Sequence, residues 1–296
     1  MKLVYFLGLI FCLNDVSAQT GKSTLNTDAT DNTLLWEISG NGLPAPSYLF
    51  GTFHLLCKAD INFSNTLKQA ITNSQEIYLE LDLDDPATLI GALTLMNMKD
   101  GKKLTDLYTP EQYQRVSAFF KDSLKTPIGM FQRMKPEFLM ALLYPKMMPC
   151  SVTSSVEESV TKLAKGSGKK VYGLETMAFQ ASVFDSIPYE KQAAELLNTI
   201  DSLERSKEQF NMMLSAYKDQ RLDKIEDIMN NPEFGAEENQ DVLLDNRNKN
   251  WVRQLKVIMK KNPVFTAVGA GHLIGKNGLI ALLRAEGYKV RGLKNK

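Results

Sequence analysis

The sequence predicts an α/β protein whose sheet is built from β-turn-α-β units at the N- and C-terminal ends of the chain, with a large helical middle. Three observations carry this. The stretch Pro263–Val290 runs apolar strand, glycine-rich turn with one histidine, amphipathic helix, then a second strand. A near copy of its first half stands at Ser47–Leu56, where the strand Tyr48–Phe50 runs into Gly51-Thr52-Phe53-His54. Between the two, helical periodicity dominates. The repeats align as YLFGTFHLL against TAVGAGHLI, G-x-x-H at a strand end in each. The two histidines of the chain, His54 and His272, fall at the same place in both. Strands alternating with helices argue for a largely parallel sheet. On such a sheet, functional groups belong at the carboxyl ends of the strands.

Taken in order, residues 1–18 combine an early lysine, the apolar run Leu3–Leu13 and the small-residue pattern Val16-Ser17-Ala18. That is a secretory signal cut after Ala18. Residues 19–33 are polar and turn-rich, a linker, and 34–296 form one domain with a helical insertion. Leu34–Ser39 and Ser47–Phe50 flank GNGLPAP and suit a β-hairpin. Ser64 caps a helix with Leu67, Ala70 and Ile71 at helical spacing. Ile77–Asp85 is a strand with acidic residues toward its end. Pro86–Met98 and Pro110–Leu124 are helices, the second opening with a Thr109 cap and Pro110 in its first turn. Met134–Cys150 is apolar and methionine-rich, either core filler or a groove for an apolar peptide. Val156–Ala164 is a short helix, Lys170–Leu174 a strand leading into Glu175, and Pro188 to about Asn230 helical. Asp241–Lys261 is an amphipathic helix carrying Arg247, Asn248 and Trp251.

Composition sets the partners. With 44% hydrophobic and 23% charged residues in 296, the chain is an ordinary globular protein. The net charge of +1 gives no pull toward nucleic acid or an acidic substrate. Lys2 and Asp15 cancel, so removal of the leader leaves that charge in place. No later segment holds about 18 uninterrupted apolar residues, so the mature chain is expected not to span a membrane. Export leaves two cysteines, Cys57 and Cys150. In an oxidising compartment such a pair is read as a disulfide. The alternative, a thiol acting as metal ligand or nucleophile, stays open because Cys57 closely follows His54.

A histidine at a tight turn after a strand has room for a ligand to approach. Two of them in equivalent positions could converge on one metal ion as neutral imidazoles, with oxygen ligands completing the set. Glu80, ending IYLE, and Glu175, ending KVYGLE, both stand at strand ends. Two histidines with one or two carboxylates and an open position for water form a workable hydrolytic metal site. No G-x-S-x-G elbow is present, which excludes the usual serine hydrolase signature.

Five motifs in order, GTFH, IYLELD, GLETMAFQ, DNRNKNW and VGAGHLIGKNGLIALLRAEGYKV, resemble the TraB/GumN (PrgY/Tiki-like) family, whose animal branch is the Tiki proteins. The resemblance covers roughly residues 34–294. It implies an EreA/ChaN-like fold, shared with erythromycin esterase and the haem-associated ChaN proteins. It also implies a metal-dependent peptidase acting on peptides or unfolded segments outside the cytoplasm, periplasmic or secreted. The divalent metal would be manganese or cobalt rather than zinc. Carried over by motif, His54 and His272 are metal ligands or catalytic bases. Glu80 and Glu175 bind metal or activate water. Arg247 and Asn248 bind metal, substrate carbonyl or oxyanion, and Gln180 orients another group. The rival readings are a non-catalytic protein that captures a peptide or haem, and an esterase inferred from fold kinship alone.

Overall fold

The computed structural model describes residues 32–82, 94–231 and 239–296. The expected signal segment, nearly all of the linker and most of the expected Pro86–Met98 helix lie outside them. The described residues fall into two compact units. One comprises 94–151 and 176–211; the other comprises 32–82, 152–175 and the residues from 212 onward.

The second unit carries the strands β1 (Leu35–Ser39), β2 (Ser47–Thr52), β3 (Leu56–Cys57), β4 (Glu76–Leu81), β5 (Thr153–Ser154), β6 (Lys170–Glu175), β7 (Val264–Gly269) and β8 (Lys289–Gly292). Six of them form one mixed sheet in the order β6-β4-β7-β2-β1-β8, and β3 pairs with β5 in a separate short ladder. Strands β6, β4, β7 and β2 run parallel. The expected hairpin is present, with Leu35 opposite Phe50 and Ile38 opposite Ser47, and β8 closes antiparallel on β1. Central β7 is buried from Val264 to Val268, the continuous apolar run of a strand covered on both faces.

The internal repeat is now a physical relationship. Its two strands, β2 and β7, are parallel neighbours, with Gly51 opposite Val268 and Thr52 opposite Gly269. Space at Gly51 is tight: a Cβ there would lie 3.2 Å from the Ala270 Cα and Cβ and from the Leu34 Cδ2, so a neighbour would have to give by a few tenths of an ångström.

The helices of this unit begin where their caps dictate. Ser64 accepts from the Leu67 N–H at 3.0 Å and starts Asn65–Asn73, which buries Leu67, Ala70 and Ile71 and feeds β4. Ser155 accepts from the Glu158 N–H at 2.9 Å and starts Val156–Gly166, which feeds β6. The expected Asp241–Lys261 helix divides into a π-helical turn, Asp241–Asp245, and an α-helix, Asn246–Lys261, which leads into β7. π-Turns of this kind often accompany functional sites.

The first unit is helical. Pro110–Asp122 opens with the expected cap, Thr109 and Gln112 bonding each other's backbone at 3.3 and 2.9 Å. Pro136–Met140, Tyr144–Met147, Met177–Asp185 and Tyr189–Asp201 follow, and Leu203–Lys218 begins here. Met134, Met140, Met147 and Met148 are buried, so the methionine-rich stretch packs the interior. Lys135 is also buried, its ammonium donating to the carbonyls of Leu95 and Ala181 and pairing with Asp185 at 2.8 Å.

Cys57 and Cys150 are disulfide-bonded, as expected. Among the described residues no helix is long and apolar enough to cross a membrane.

Candidate functional site

Each of the four parallel strands delivers one side chain at its carboxyl end. His54 follows β2, Glu80 lies near the end of β4, Glu175 ends β6, and His272 closes the 3₁₀ turn Ala270–His272 after β7. Arg247 and Asn248 come from the first turn of the Asn246–Lys261 helix. All six are buried. Gln180 belongs to the helical unit and is buried there.

Arg247 stands at the centre. Its Nε donates to Glu175 at 3.0 Å, and its Nη2 donates to Glu175 at 2.8 Å and to Glu80 at 2.6 Å. Its Nη1 donates to the Leu243 carbonyl at 2.9 Å and faces the His272 Nε2 at 3.2 Å. All five guanidinium N–H groups therefore have acceptors. Its Cζ lies 4.8 Å from the centre of the Trp251 ring, which packs on His272 with centroids 4.4 Å apart.

That geometry fixes the His272 tautomer. Arg247 can only donate, so Nε2 is the acceptor and Nδ1 carries the hydrogen, which it donates to the Asn248 Oδ1 at 2.7 Å. The Asn248 amide donates in turn to the Asn277 carbonyl at 2.9 Å, so both of its ends are committed. Burial, joined by the Arg247 and His54 charges, outweighs Glu80 and holds the His272 imidazole down at about 3, hence neutral.

Glu80 accepts the Gly269 N–H at 2.8 Å. Burial alone would raise its carboxyl, but Arg247 first, then the two histidines and that N–H, bring it down to about 2. His54 goes the opposite way from His272. Burial would lower it, but the Glu157 carboxylate 2.7 Å from Nδ1 prevails, with help from Glu80, and holds it up at about 9. The other ring nitrogen, Nε2, is buried and has no hydrogen-bond partner.

The unpartnered nitrogen borders a space created by a missing side chain. A Cβ on Gly269 would stand 3.4 Å from the Glu80 Oε1, 3.7 Å from the His54 Nε2 and 3.7 Å from the His272 Cδ2. The Glu80 oxygen and the His54 nitrogen thus face one gap, while His272 turns its Cδ2 edge to it and its Nε2 to Arg247. The His272 Nε2 and Glu80 Oε1 are 3.8 Å apart. Ligand atoms each about 2.1 Å from one ion stand up to roughly 4 Å from each other. The donor types suit a divalent cation. Among the described residues, however, no group of three or more His, Cys, Asp or Glu is placed so that it could hold a metal ion. The cation that balances Glu80 and Glu175 here is Arg247. Cys57, being disulfide-bonded, offers no thiol.

Glu157 was not among the residues expected from sequence. It stands in the first turn of a Ser155-capped helix, where an acidic residue is ordinarily explained by the helix dipole.

Fold and site together define an α/β protein with a buried imidazole, carboxylate and guanidinium centre at the carboxyl edge of a mixed sheet. The chain belongs to the TraB/PrgY/gumN family, whose sequence model matches residues 34–292. It is similar to Metalloprotease TIKI1 of Danio rerio, 24% identical across 90% of this chain and 64% of that protein. It is also similar to Metalloprotease TIKI1 of Homo sapiens, 23% identical across 88% of this chain and 61% of that one. A third relative, Metalloprotease TIKI homolog of Amphimedon queenslandica, is 22% identical across 98% of this chain and 67% of its own length. The chain thus spans less than two thirds of the length of the first two. No solved structure matches.

Proposed function

We propose that this protein is a metal-dependent peptidase acting outside the cytoplasm on peptides or unfolded protein segments. The observation that carries the reading is the unpartnered His54 Nε2 facing the same gap as the Glu80 Oε1. It is supported by relatives named metalloproteases.

Glu80, through Oε1, and His54, through Nε2 once that nitrogen gives up its proton, would hold the ion, and His272 would join through Nε2 only where the Arg247 Nη1 releases it. A set of imidazole and carboxylate donors without thiolate is open to manganese or cobalt. When bound, such an ion supplies Lewis acidity and a water that loses its proton near neutral pH. The chain's own groups do the rest. Glu80 and Glu175 are the carboxylates able to take a proton from the attacking water. Arg247 is the donor for the developing oxyanion, and its bond to the neutral Leu243 carbonyl is the one it gives up most cheaply. Asn248, with both amide ends occupied, orients His272.

One observation favours a second reading. Arg247 already pairs with both Glu80 and Glu175, so each carboxylate has a cationic partner without an ion, as in a protein that binds a peptide or haem and does not cut. Metal content of the purified mature protein separates the two, measured beside His54→Ala/His272→Ala. About one equivalent, lost in the double variant, together with manganese- or cobalt-dependent cleavage of quenched fluorescent peptides, supports the peptidase. Wild type that stays empty and inert when supplied with metal sinks it. A Soret band on haem titration would then identify the haem binder.

A further inference from the structure

We propose that Glu157 is a positioning residue for His54: by accepting the Nδ1 hydrogen it turns the imidazole so that Nε2, and not Nδ1, faces the gap beside Gly269 and can ligate a cation. The ligating half of this proposal rests on the metal reading of the site.

The geometry is specific to that arrangement. The His54 Nδ1 and the Glu157 Oε1 are 2.7 Å apart and both side chains are buried. An imidazole has two nitrogens on opposite edges, so a partner that fixes one determines what the other meets. Here the other is the buried Nε2 with no partner of its own.

The backbone around the pair is clamped on several sides. The Val156 N–H donates to the carbonyl of Phe53, the residue before His54, at 3.3 Å. Leu56 pairs with Ser154 and Cys57 with Thr153, and the Lys58 N–H donates to the Val152 carbonyl at 3.0 Å. The histidine turn and the start of the Glu157 helix are thereby held together. Tyr217 secures the turn from another side, its hydroxyl donating to the Gly51 carbonyl at 3.0 Å and its ring 5.1 Å from that of Phe53. The short β3–β5 ladder, separate from the main sheet, ties the chain just after His54 to the chain just before the Glu157 helix.

The two halves of the repeat now show a division of labour. Each histidine sets Nδ1 against an orienting side chain, the Glu157 carboxylate paired at 2.7 Å for His54 and the Asn248 amide oxygen accepting at 2.7 Å for His272. A carboxylate behind an imidazole makes it the stronger ligand, as in carboxylate–histidine–metal triads. His54 is therefore the firmer of the two ligands.

With two histidines in the chain, [15N]histidine labelling of the metal-free protein gives a spectrum simple enough to test this. The expected wild-type signal is a low-field Nδ1–H proton shared with a carboxylate, assigned by its absence in His54→Ala. Glu157→Gln should move it upfield, and Glu157→Ala should abolish it. In calorimetric Co²⁺ titrations, Glu157→Ala should bind about 10–100-fold more weakly, with Glu157→Gln intermediate. A resonance and an affinity unchanged in the variants overturn the proposal. If Glu157→Ala does not fold, the equal-sized Glu157→Gln decides by the same two readouts. Wild type that binds no Co²⁺ overturns the ligand role together with the metal reading, while the resonance still decides the orienting hydrogen bond on its own.

Discussion

Arg247 grips Glu175 through two nitrogens, Nε at 3.0 Å and Nη2 at 2.8 Å, and the same Nη2 holds Glu80 at 2.6 Å. One buried cation thus faces two buried carboxylates. Breaking such a group by removing one partner costs about 3–5 kcal/mol, because the remaining charges stay buried and unbalanced. Arg247→Ala should lower stability by that order in urea melts without metal. Millimolar Mn²⁺ or Co²⁺ should then raise its melting temperature more than that of wild type, since the ion replaces the lost charge and binds only the folded state. A variant that melts like wild type would mean the guanidinium is not what balances the carboxylates.

The shifted groups set opposite pH limits on the metal-free protein. His54 titrates at about 9 when folded against an ordinary 6.5, so its contribution is complete below 6.5 and lost as pH rises to 9. Glu80, at about 2 against 4.5, contributes above 4.5 and loses that contribution as pH falls toward 2. His272, at about 3 against 6.5, leaves the unfolded chain holding the extra proton, so stability climbs with pH between 3 and 6.5. Urea midpoints should therefore peak near pH 6.5. His54→Ala should remove the alkaline decline selectively; a decline that persists unchanged in that variant would contradict the assignment.

Asn248 gives His272 a neutral acceptor, and that neutrality helps keep the imidazole uncharged. Asn248→Asp puts a carboxylate on Nδ1, the arrangement His54 already has. The His272 titration should rise from about 3 toward or past its ordinary 6.5, followed by histidine 15N shifts against pH. Asn248→Ala should instead leave the ring free to turn and weaken metal binding about 10–100-fold. A titration that does not move in Asn248→Asp would show that burial alone governs it.

Much of this was legible in the sequence because it is local. The G-x-x-H repeat, the Ser64 and Thr109 caps and the strand periods each lie within a few residues, and the strand-end rule then put His54, Glu80, Glu175 and His272 on one edge. What stayed hidden depends on distant pairing or on absent contrast. The β3–β5 ladder is too short to leave a period. The Met177–Asp185 helix buries Met177, Gln180, Ala181, Val183 and Phe184, so it has no polar stripe to reveal a 3.6-residue repeat. The partners of Arg247 and His54 lie far away in sequence, and nothing in a first-turn glutamate such as Glu157 announces that it will meet a histidine rather than a helix dipole.

Gly269 offers the cleanest separation of site from fold. Its φ and ψ, −49° and 137°, are open to any residue, so alanine brings no backbone strain. The added methyl would sit 3.4 Å from the Glu80 Oε1 and 3.7 Å from the His54 Nε2, inside the gap those two atoms face. Contacts at those distances call for shifts of a few tenths of an ångström at most, so Gly269→Ala should change stability by less than about 1 kcal/mol. Metal binding and any peptide cleavage should fall at least tenfold, because the methyl stands where the ligands converge. Thermal melts with cobalt titration of the same preparation check both halves. A Gly269→Ala protein that binds cobalt as well as wild type would place the ion elsewhere. One that unfolds would show instead that the gap is needed for packing, and that the edge of β7 tolerates no added atom.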